Sequence, residues 1–326
     1  MHPGPTQIIN QPPQFPHAHY RTTPRLDPDH ATRPLSPYRY LNGQITQQVD
    51  HLPKGEARYA VITNHKGQLE ADLHFAHHPE KDGILIDAHI DLRESLFTRL
   101  DRYIIADDAE LTDITDDWQV AHLLDKEAAT EIENVSFQTQ STRFGQPGID
   151  LWRPQSHDFE ELFQTHQINQ LAPQVLENHR ITQGIPQWNH ELTPGLLPPE
   201  ARIEARAIDY QKGCYIGQEI ISRVKSVGKV NRRLVLLQLD RSHAETPLPS
   251  PLWLASGEQS GSKAIGTLTS ITKPAGSQPD DAEVLALGYL KSQHAEAGIQ
   301  VLAAPVIDAP SATRFTVLPF PDLTKS

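Results

Sequence analysis

Apolar positions come in short runs along most of this chain, and their period alternates between that of strands and that of helices. Ala57 to Thr63 (ARYAVIT) is rich in apolar and β-branched residues and predicts a strand. Asn64-His65-Lys66-Gly67 is a turn signal, and Gln68 to Phe75 (QLEADLHF) alternates apolar and polar residues, so the two segments predict a hairpin. Gly83 to Ala88 (GILIDA) predicts a further strand. From Leu92 to Ile105 the period becomes helical, with Leu92, Leu96, Phe97, Leu100, Tyr103 and Ile104 on one face. Residues 118–152 return to strand-like pieces. Phe159, Leu162 and Phe163 predict a second helix, and Val175-Leu176 opens a short one before Gly184-Ile185-Pro186.

After Asn231 the texture is nearly all β. Arg233–Leu239, Ala264–Thr272, Ala286–Leu290, Gln300–Ala303 and Arg314–Leu318 are short strands parted by Gly, Pro and Ser clusters, the spacing of a small barrel or sandwich. Mixed elements followed by strands predict an α+β protein with a separate C-terminal domain. Residues 1–37 differ from both parts. They hold nine of the 27 prolines and four histidines, with no apolar period, and predict an extended arm that packs little surface. His2, His17, His19 and His30 lack metal-ligand spacing and are expected on solvated surface.

Composition narrows the classes. In 326 residues there is one cysteine, which excludes an intramolecular disulfide framework and a self-contained thiolate metal cage. A reducing compartment follows. No run reaches the roughly 18 apolar residues of a membrane span, and the N-terminus shows no signal-peptide core, so a cytoplasmic location is expected. Net charge of −12 disfavours non-specific binding to nucleic acid or anionic membrane.

One segment reverses that sign. From Lys212 to Arg233 six basic residues (Lys212, Arg223, Lys225, Lys229, Arg232, Arg233) face one acid, Glu219. The segment also holds the lone thiol, Cys214, between Gly213 and Gly217, just ahead of a helical pattern in GQEIISRV. A helix N-terminus and nearby cations favour a thiolate over a thiol. The residues alone leave two readings open: a reactive thiol beside an anion-binding patch, or a small buried apolar residue next to a solvated face. Arg180 and Arg206 are candidates to clamp an anionic tail, with ordinary salt bridges as the alternative. Asn64, Lys66 and Gly67 are first a hairpin turn and second ligand contacts. Trp118, Trp152, Trp188 and Trp253 read as core aromatics.

The string KGCYIGQE, Lys212 to Glu219, resembles the signature of the YgfZ family, Lys-Gly-Cys-Tyr-x-Gly-Gln-Glu, at every fixed position. Tyr40 to Thr46 (YLNGQIT) resembles that family's Phe-Leu-Gln-Gly-Gln-Leu-Thr segment, and Asn64 to Leu73 (NHKGQLEADL) resembles its Lys-Gly-Arg-x-x-Ala-Asp segment. Further positions at 102–105, 180–186, 197–198, 229–234 and 287–289 extend the resemblance over residues 38–318. It implies an α+β fold like the aminomethyltransferase T-protein of glycine cleavage: a ring of subdomains around a central channel, with a β-barrel at the C-terminus. The expected division is an arm over 1–37, a folate-binding part over 38–230 in two subdomains, and a barrel over 231–326.

The implied function is that of an accessory factor for iron–sulfur cluster assembly or repair, rather than an enzyme. Cys214 is then the functional residue, a transient metal ligand completed by external ligands, with no stably bound metal. Tetrahydrofolate or a related folate is the implied ligand, with Asn64, Lys66, Asp72, Arg180, Lys212, Tyr215, Gln218, Glu219 and Arg223 as contacts. Iron–sulfur assembly or client proteins are the implied partners. Two alternatives stand beside this: a folate-dependent aminomethyl transferase, and a tRNA-modification helper using Lys225, Lys229, Arg232 and Arg233. Thr182 stands where the family carries a glutamate, and threonine makes no charge-assisted bond to a pterin ring.

Overall fold

Why two sheets form, and how they meet, follows from where the polar residues fall in otherwise apolar strands. The computed structural model describes residues 7–10, 17–24, 36–79, 82–104, 109–124, 132–239, 246–255, 263–273, 283–305 and 312–323. The chain divides into two compact units, residues 1–171 with 205–222 and residues 172–204 with 223–325. This differs from a boundary near 230, because residues 172–204 group with the C-terminal strands. It is the fold of α+β class with a C-terminal barrel that the sequence predicts.

The first unit contains two five-stranded sheets. One is built from β2 (His17–Pro24), β3 (Ala57–Thr63), β4 (Leu69–His77), β5 (Ile84–His89) and β6 (Ala109–Asp113), in the order β3-β4-β5-β2-β6. The other takes β1 (Gln7–Asn10), β7 (Trp118–Leu123), β8 (Phe137–Ser141), β9 (Gly148–Pro154) and β10 (Asn169–Gln170), in the order β10-β1-β7-β9-β8. The expected hairpin is present; its partners pair in register from Ala57↔Ala76 to Ile62↔Ala71, and a bulge shifts the register before Thr63↔Leu69. The helix expected over 92–105 is shorter: a 3₁₀ turn at Ile90–Leu92 leads into α2, Arg93–Asp101, and residues 105–108 lie outside the described residues.

The N-terminal arm is a correction. Residues 17–24 form a strand paired on both sides, with β5 and with β6. Ala18, His19, Tyr20 and Thr22 are buried. His17 and His19 are therefore not solvated surface, whereas His2 and His30 lie outside the described residues. The reason is chemical: both rings reach a buried carboxylate that offsets their desolvation.

Each sheet has an apolar and a polar side. Residues paired across strands share a face. Ala18, Tyr20, Leu73, Phe75, Ile86 and Ala88 lie on one face of the first sheet, toward α1 (Ser36–Gln44) and α2, where the Tyr20 hydroxyl donates to the Arg93 carbonyl at 2.6 Å. The second sheet buries Ala121, Leu123, Ile149 and Leu151 against α3 (Phe159–Thr165). The opposite faces meet, and they are polar. Tyr59, His74, Asp87 and His19 form a cross-strand row on one sheet, and His122, Asp150 and Thr139 form a row on the other.

Arg143 joins the rows. Its Nη1 lies 2.6 Å from Asp87 Oδ2, while Nε and Nη2 donate to both Asp150 oxygens at 3.0 and 2.8 Å. Asp87 also holds the Nδ1 atoms of His17 at 2.6 Å and His19 at 3.2 Å, and Asp150 holds His122 at 2.7 Å. Desolvation alone would push both carboxyls up, but Arg143 and the histidines outweigh it and hold Asp87 and Asp150 well below the usual carboxylate range. Burial pushes His19, His74 and His122 down, toward the neutral ring.

The second unit closes six strands into a barrel: β11 (Arg232–Leu239), β12 (Ser250–Leu254), β13 (Gly266–Ile271), β14 (Leu285–Lys291), β15 (Gln300–Ala303) and β16 (Thr313–Leu318). Their order is β11-β14-β13-β12-β15-β16, with β16 returning to β11. Closure removes the exposed edges of so small a sheet. Val235, Leu237, Leu252, Leu268, Val301 and Phe315 are among the residues that fill it. Helix α4 (Pro173–Thr182) packs on β13 and β14.

Stability should therefore fall in mild acid. Below pH 6.5 the unfolded chain takes up protons that the depressed His19, His74 and His122 refuse. The Asp72 carboxyl, raised to about 6, acts in the opposite sense. Three rings against one carboxyl leave a net uptake of protons on unfolding, so stability falls as pH drops through the histidine range of the unfolded chain. Urea midpoints at pH 7.0 and 5.5 check this, and equal midpoints would mean that the seam does not carry neutral rings.

Candidate functional site

The loop that carries the thiol is fastened on both sides. Ahead of it, buried Lys212 donates from Nζ to three backbone carbonyls, those of Asn42, Ile45 and Gln47, each at 2.7 Å. Three ammonium hydrogens meet three acceptors. Burial pulls the group down to about 7, but an amine that lost its proton would have two hydrogens for three carbonyls. The neighbouring chain adds Thr46 Oγ1, which donates to the Ala207 carbonyl at 2.6 Å, and Asp209 N, which donates to the Thr46 carbonyl at 3.0 Å.

After the thiol, the Ile216 carbonyl accepts from Thr63 Oγ1 at 2.7 Å. Gly217 has φ +88, and a Cβ there would fall 2.5 Å from the Asn64 carbonyl oxygen and 2.6 Å from Thr63 Oγ1. Only glycine allows both that dihedral and that approach. Gly67 sits in contact with Ile220 and Ile221 of α6 (Gln218–Val227). The hairpin turn at 64–67 is thus the support for the start of this helix. Between the two anchors, Cys214 is exposed. Of the two readings left open by the sequence, the buried apolar cysteine is the one the structure overturns.

The other expected site residues fall into distinct positions. Asn64 is spent on its turn: Oδ1 accepts from Lys66 N at 2.9 Å and Gln68 N at 3.1 Å, and Nδ2 donates to Gln68 Oε1 at 3.2 Å. Lys66, Glu219 and Arg223 are exposed, and Gln218 opens α6. Tyr215 is buried with its ring 5.3 Å from Lys212 Nζ, its hydroxyl has no hydrogen-bond partner among the described residues, and burial pushes its phenol up. The turn therefore brings Asn64 and Lys66 to the base of α6 with Gln218, while Lys212 belongs to the anchor.

Asp72 lies on β4. Its Oδ2 accepts from the Tyr59 hydroxyl at 3.1 Å, and its Oδ1 is buried with no hydrogen-bond partner among the described residues. Desolvation raises this carboxyl to about 6, against the opposing pull of the Tyr59 hydrogen bond. Arg206 places its guanidinium 5.3 Å from the Tyr59 ring centre and donates from Nη2 to the Thr142 carbonyl at 2.8 Å. Tyr59 and His74 escaped the sequence reading because each sits in an ordinary strand pattern. A polar residue at every second position of QLEADLHF was the available signal.

Arg180 is not placed to clamp a ligand. It is buried in the second unit, where Glu177 takes Nε and Nη2 at 2.8 and 2.6 Å, and Glu191 and the Ile185 carbonyl take Nη1 at 2.8 and 2.6 Å. Ser270 Oγ accepts from Nη2 at 3.0 Å. Glu191, missed in the sequence, also accepts from Thr269 and Ser270 at 2.7 and 2.6 Å and is held low chiefly by the Arg180 charge against its burial. Thr182, in place of the family glutamate, is exposed and donates to the Asn178 carbonyl of its own helix at 2.8 Å. Among the described residues, no group of three or more His, Cys, Asp or Glu side chains is arranged to hold a metal ion, and no helix is long and apolar enough to cross a membrane.

No protein-family model matches the chain. Relatives do. The chain is 27% identical over 203 residues to the mitochondrial iron–sulfur cluster assembly factor IBA57 homologue of Mycosarcoma maydis, covering 60% of this chain and 48% of that protein. It is 25% identical over 228 residues to the tRNA-modifying protein YgfZ of Aliivibrio fischeri, covering 67% and 70%. With the mitochondrial IBA57 of Mus musculus it shares 34% over 122 residues, 37% of this chain and 31% of that one. Over these spans the chain is similar to proteins named YgfZ and IBA57. Its match spans about half the length of the Mycosarcoma maydis relative. In fold, the chain is similar to the glycine-cleavage aminomethyltransferase T of Bartonella henselae, at 14% identity and a TM-score of 0.73 over 97% of this chain and 86% of that one.

Fastening of the loop is testable apart from function. Lys212→Met removes the donor shared by three carbonyls and should cost about 2–4 kcal/mol in denaturant unfolding. Limited proteolysis should then cut near residue 214. A variant as stable and as resistant as the parent would show that the three bonds do not hold the loop.

Proposed function

We propose that this protein is an accessory factor for iron–sulfur cluster assembly or repair, and that Cys214 is its working thiol. One observation supports this above the others: the sole cysteine is exposed on a loop anchored from both ends, in a motif that matches the family signature throughout. Relatives named as iron–sulfur cluster assembly factors agree with it. The cluster is cargo in this reading. One thiol supplies one ligand of the usual four, so a client or carrier protein, a second copy of the chain or an external thiol completes the set.

A folate-like molecule is the proposed small ligand. Asp72 is the residue we assign to its recognition, since its carboxylate can accept from a ring N–H and its Oδ1 has no hydrogen-bond partner among the described residues. Thr182 bonds its own helix and adds no charge to that recognition.

A second reading, help in tRNA modification, is favoured by one feature. Arg223, Lys225, Lys229 and Arg232 are all exposed, a basic run in a chain of net charge −12, and a relative is named as a tRNA-modifying protein. Each phosphate neutralised adds roughly one to the salt slope of binding.

Two measurements separate these readings. In a strain lacking the gene, Cys214→Ala should accumulate to parental level yet restore less than about a tenth of cluster-enzyme activity, because an exposed side chain contributes little to folding. Full restoration would remove the thiol from the mechanism. Lys225→Glu with Lys229→Glu should lower tRNA affinity and flatten its salt dependence by about two counterions if RNA is bound. An unchanged slope would end that reading.

A further inference from the structure

Tyr59 and Arg206 lie beside Asp72, whose two oxygens are held unequally. The Tyr59 hydroxyl on β3 donates to Oδ2 at 3.1 Å, while Oδ1 keeps no hydrogen-bond partner among the described residues although it is buried. Over the Tyr59 ring lies the Arg206 guanidinium, 5.3 Å from the centroid, pinned through Nη2 to the Thr142 carbonyl at 2.8 Å. Arg206 Nε is likewise buried without a hydrogen-bond partner there. Tyr59, Asp72 and Arg206 nevertheless each retain some accessible surface.

We propose that Tyr59 and Arg206 are a positioning pair for the Asp72 carboxylate, holding it by one oxygen and leaving the other for an N–H of the bound ligand. The proposal rests on Asp72 as the folate contact put forward above. A buried carboxylate with a free oxygen costs free energy unless something donates to it. The phenol supplies one donor and fixes the carboxylate plane. The guanidinium has no carboxylate within ion-pair distance among the described residues, so its charge acts on the phenol face and on Asp72 together. Interaction of Arg206 with Tyr59 and with Asp72 opposes the downward push that burial gives the guanidinium, and the attraction is reciprocal.

Other charges face Asp72 as well. His17 on β2 favours its ionised form, and Asp87 on β5 opposes it, with Arg143 and His19 already committed to Asp87. His74, on the same strand, is held neutral chiefly by its burial.

The test reads the carboxyl directly. Carbon-13 NMR of the side-chain carboxyls, with Asp72 assigned by its loss in Asp72→Asn, should show the group titrating near 6 in the parent protein. Tyr59→Phe should move it up by about one pH unit, and Arg206→Gln should move it in the same direction. Tetrahydrofolate binding by the same proteins should then weaken about fivefold at pH 6 in Tyr59→Phe and by less than about 1.5-fold at pH 8.5, the ratio of ionised fractions. A carboxyl that titrates at the same pH in all three proteins overturns the pair, as does loss of affinity equal at every pH. If the carboxyl moves but the parent binds no tetrahydrofolate, the positioning stands and the folate role of Asp72 falls. Should Arg206→Gln not fold, Arg206→Lys keeps the charge without the planar stack, and an unmoved carboxyl there assigns the effect to charge.

Discussion

The first unit depends on a single cation, Arg143, placed between Asp87 and Asp150 where two sheets meet. Most sheets meet through hydrocarbon. These turn their apolar faces away, toward helices, and meet through a layer that includes carboxylates, imidazoles and the Arg143 guanidinium. Removing one partner from such a layer costs about 3–5 kcal/mol because the others stay buried and uncompensated. A network of this kind fixes registry more sharply than hydrocarbon does, since a slip of one residue would turn His19, Asp87 and His74 to the apolar side. It also explains why a strand from a proline-rich arm is held in the middle of a sheet: the arm brings two rings that Asp87 needs.

Much of the fold was legible because its strands and helices obey their periods. ARYAVIT and GILIDA lie where their composition puts them, and so do the helices at 159–165 and 173–182. The barrel strand Ser250–Leu254 was not read, since Pro251 in its middle argues against a strand by the usual rule. Residues 17–24 were hidden for another reason. Their neighbours set a compositional background of proline, and what orders them is an aspartate about 70 residues away, which no local window contains.

The site divides in the same manner. Cys214 stood out in the sequence because its motif is long and contiguous, and glycine at 217 has a steric cause visible in the fold. The roles of Lys212 and Arg180 were not legible. Both are basic residues in a motif, which suggests ligand contact, yet each is wholly consumed by the protein itself. A positive charge in sequence carries no record of whether its hydrogens point at carbonyls or at solvent. Tyr59 and Arg206 are separated by nearly 150 residues, and their relation to Asp72 exists only in space.

One feature of the thiol loop bears on how such a chain can change. Lys212 holds residues 42–47 by backbone oxygens alone, and every amino acid carries one. The three bonds to Lys212 thus set no demand on the side chains at Asn42, Ile45 and Gln47, whose identities answer to other contacts such as the Thr46 hydroxyl on Ala207, whereas adding or deleting one residue there would carry an oxygen out of reach. Chain length is what this clasp must preserve.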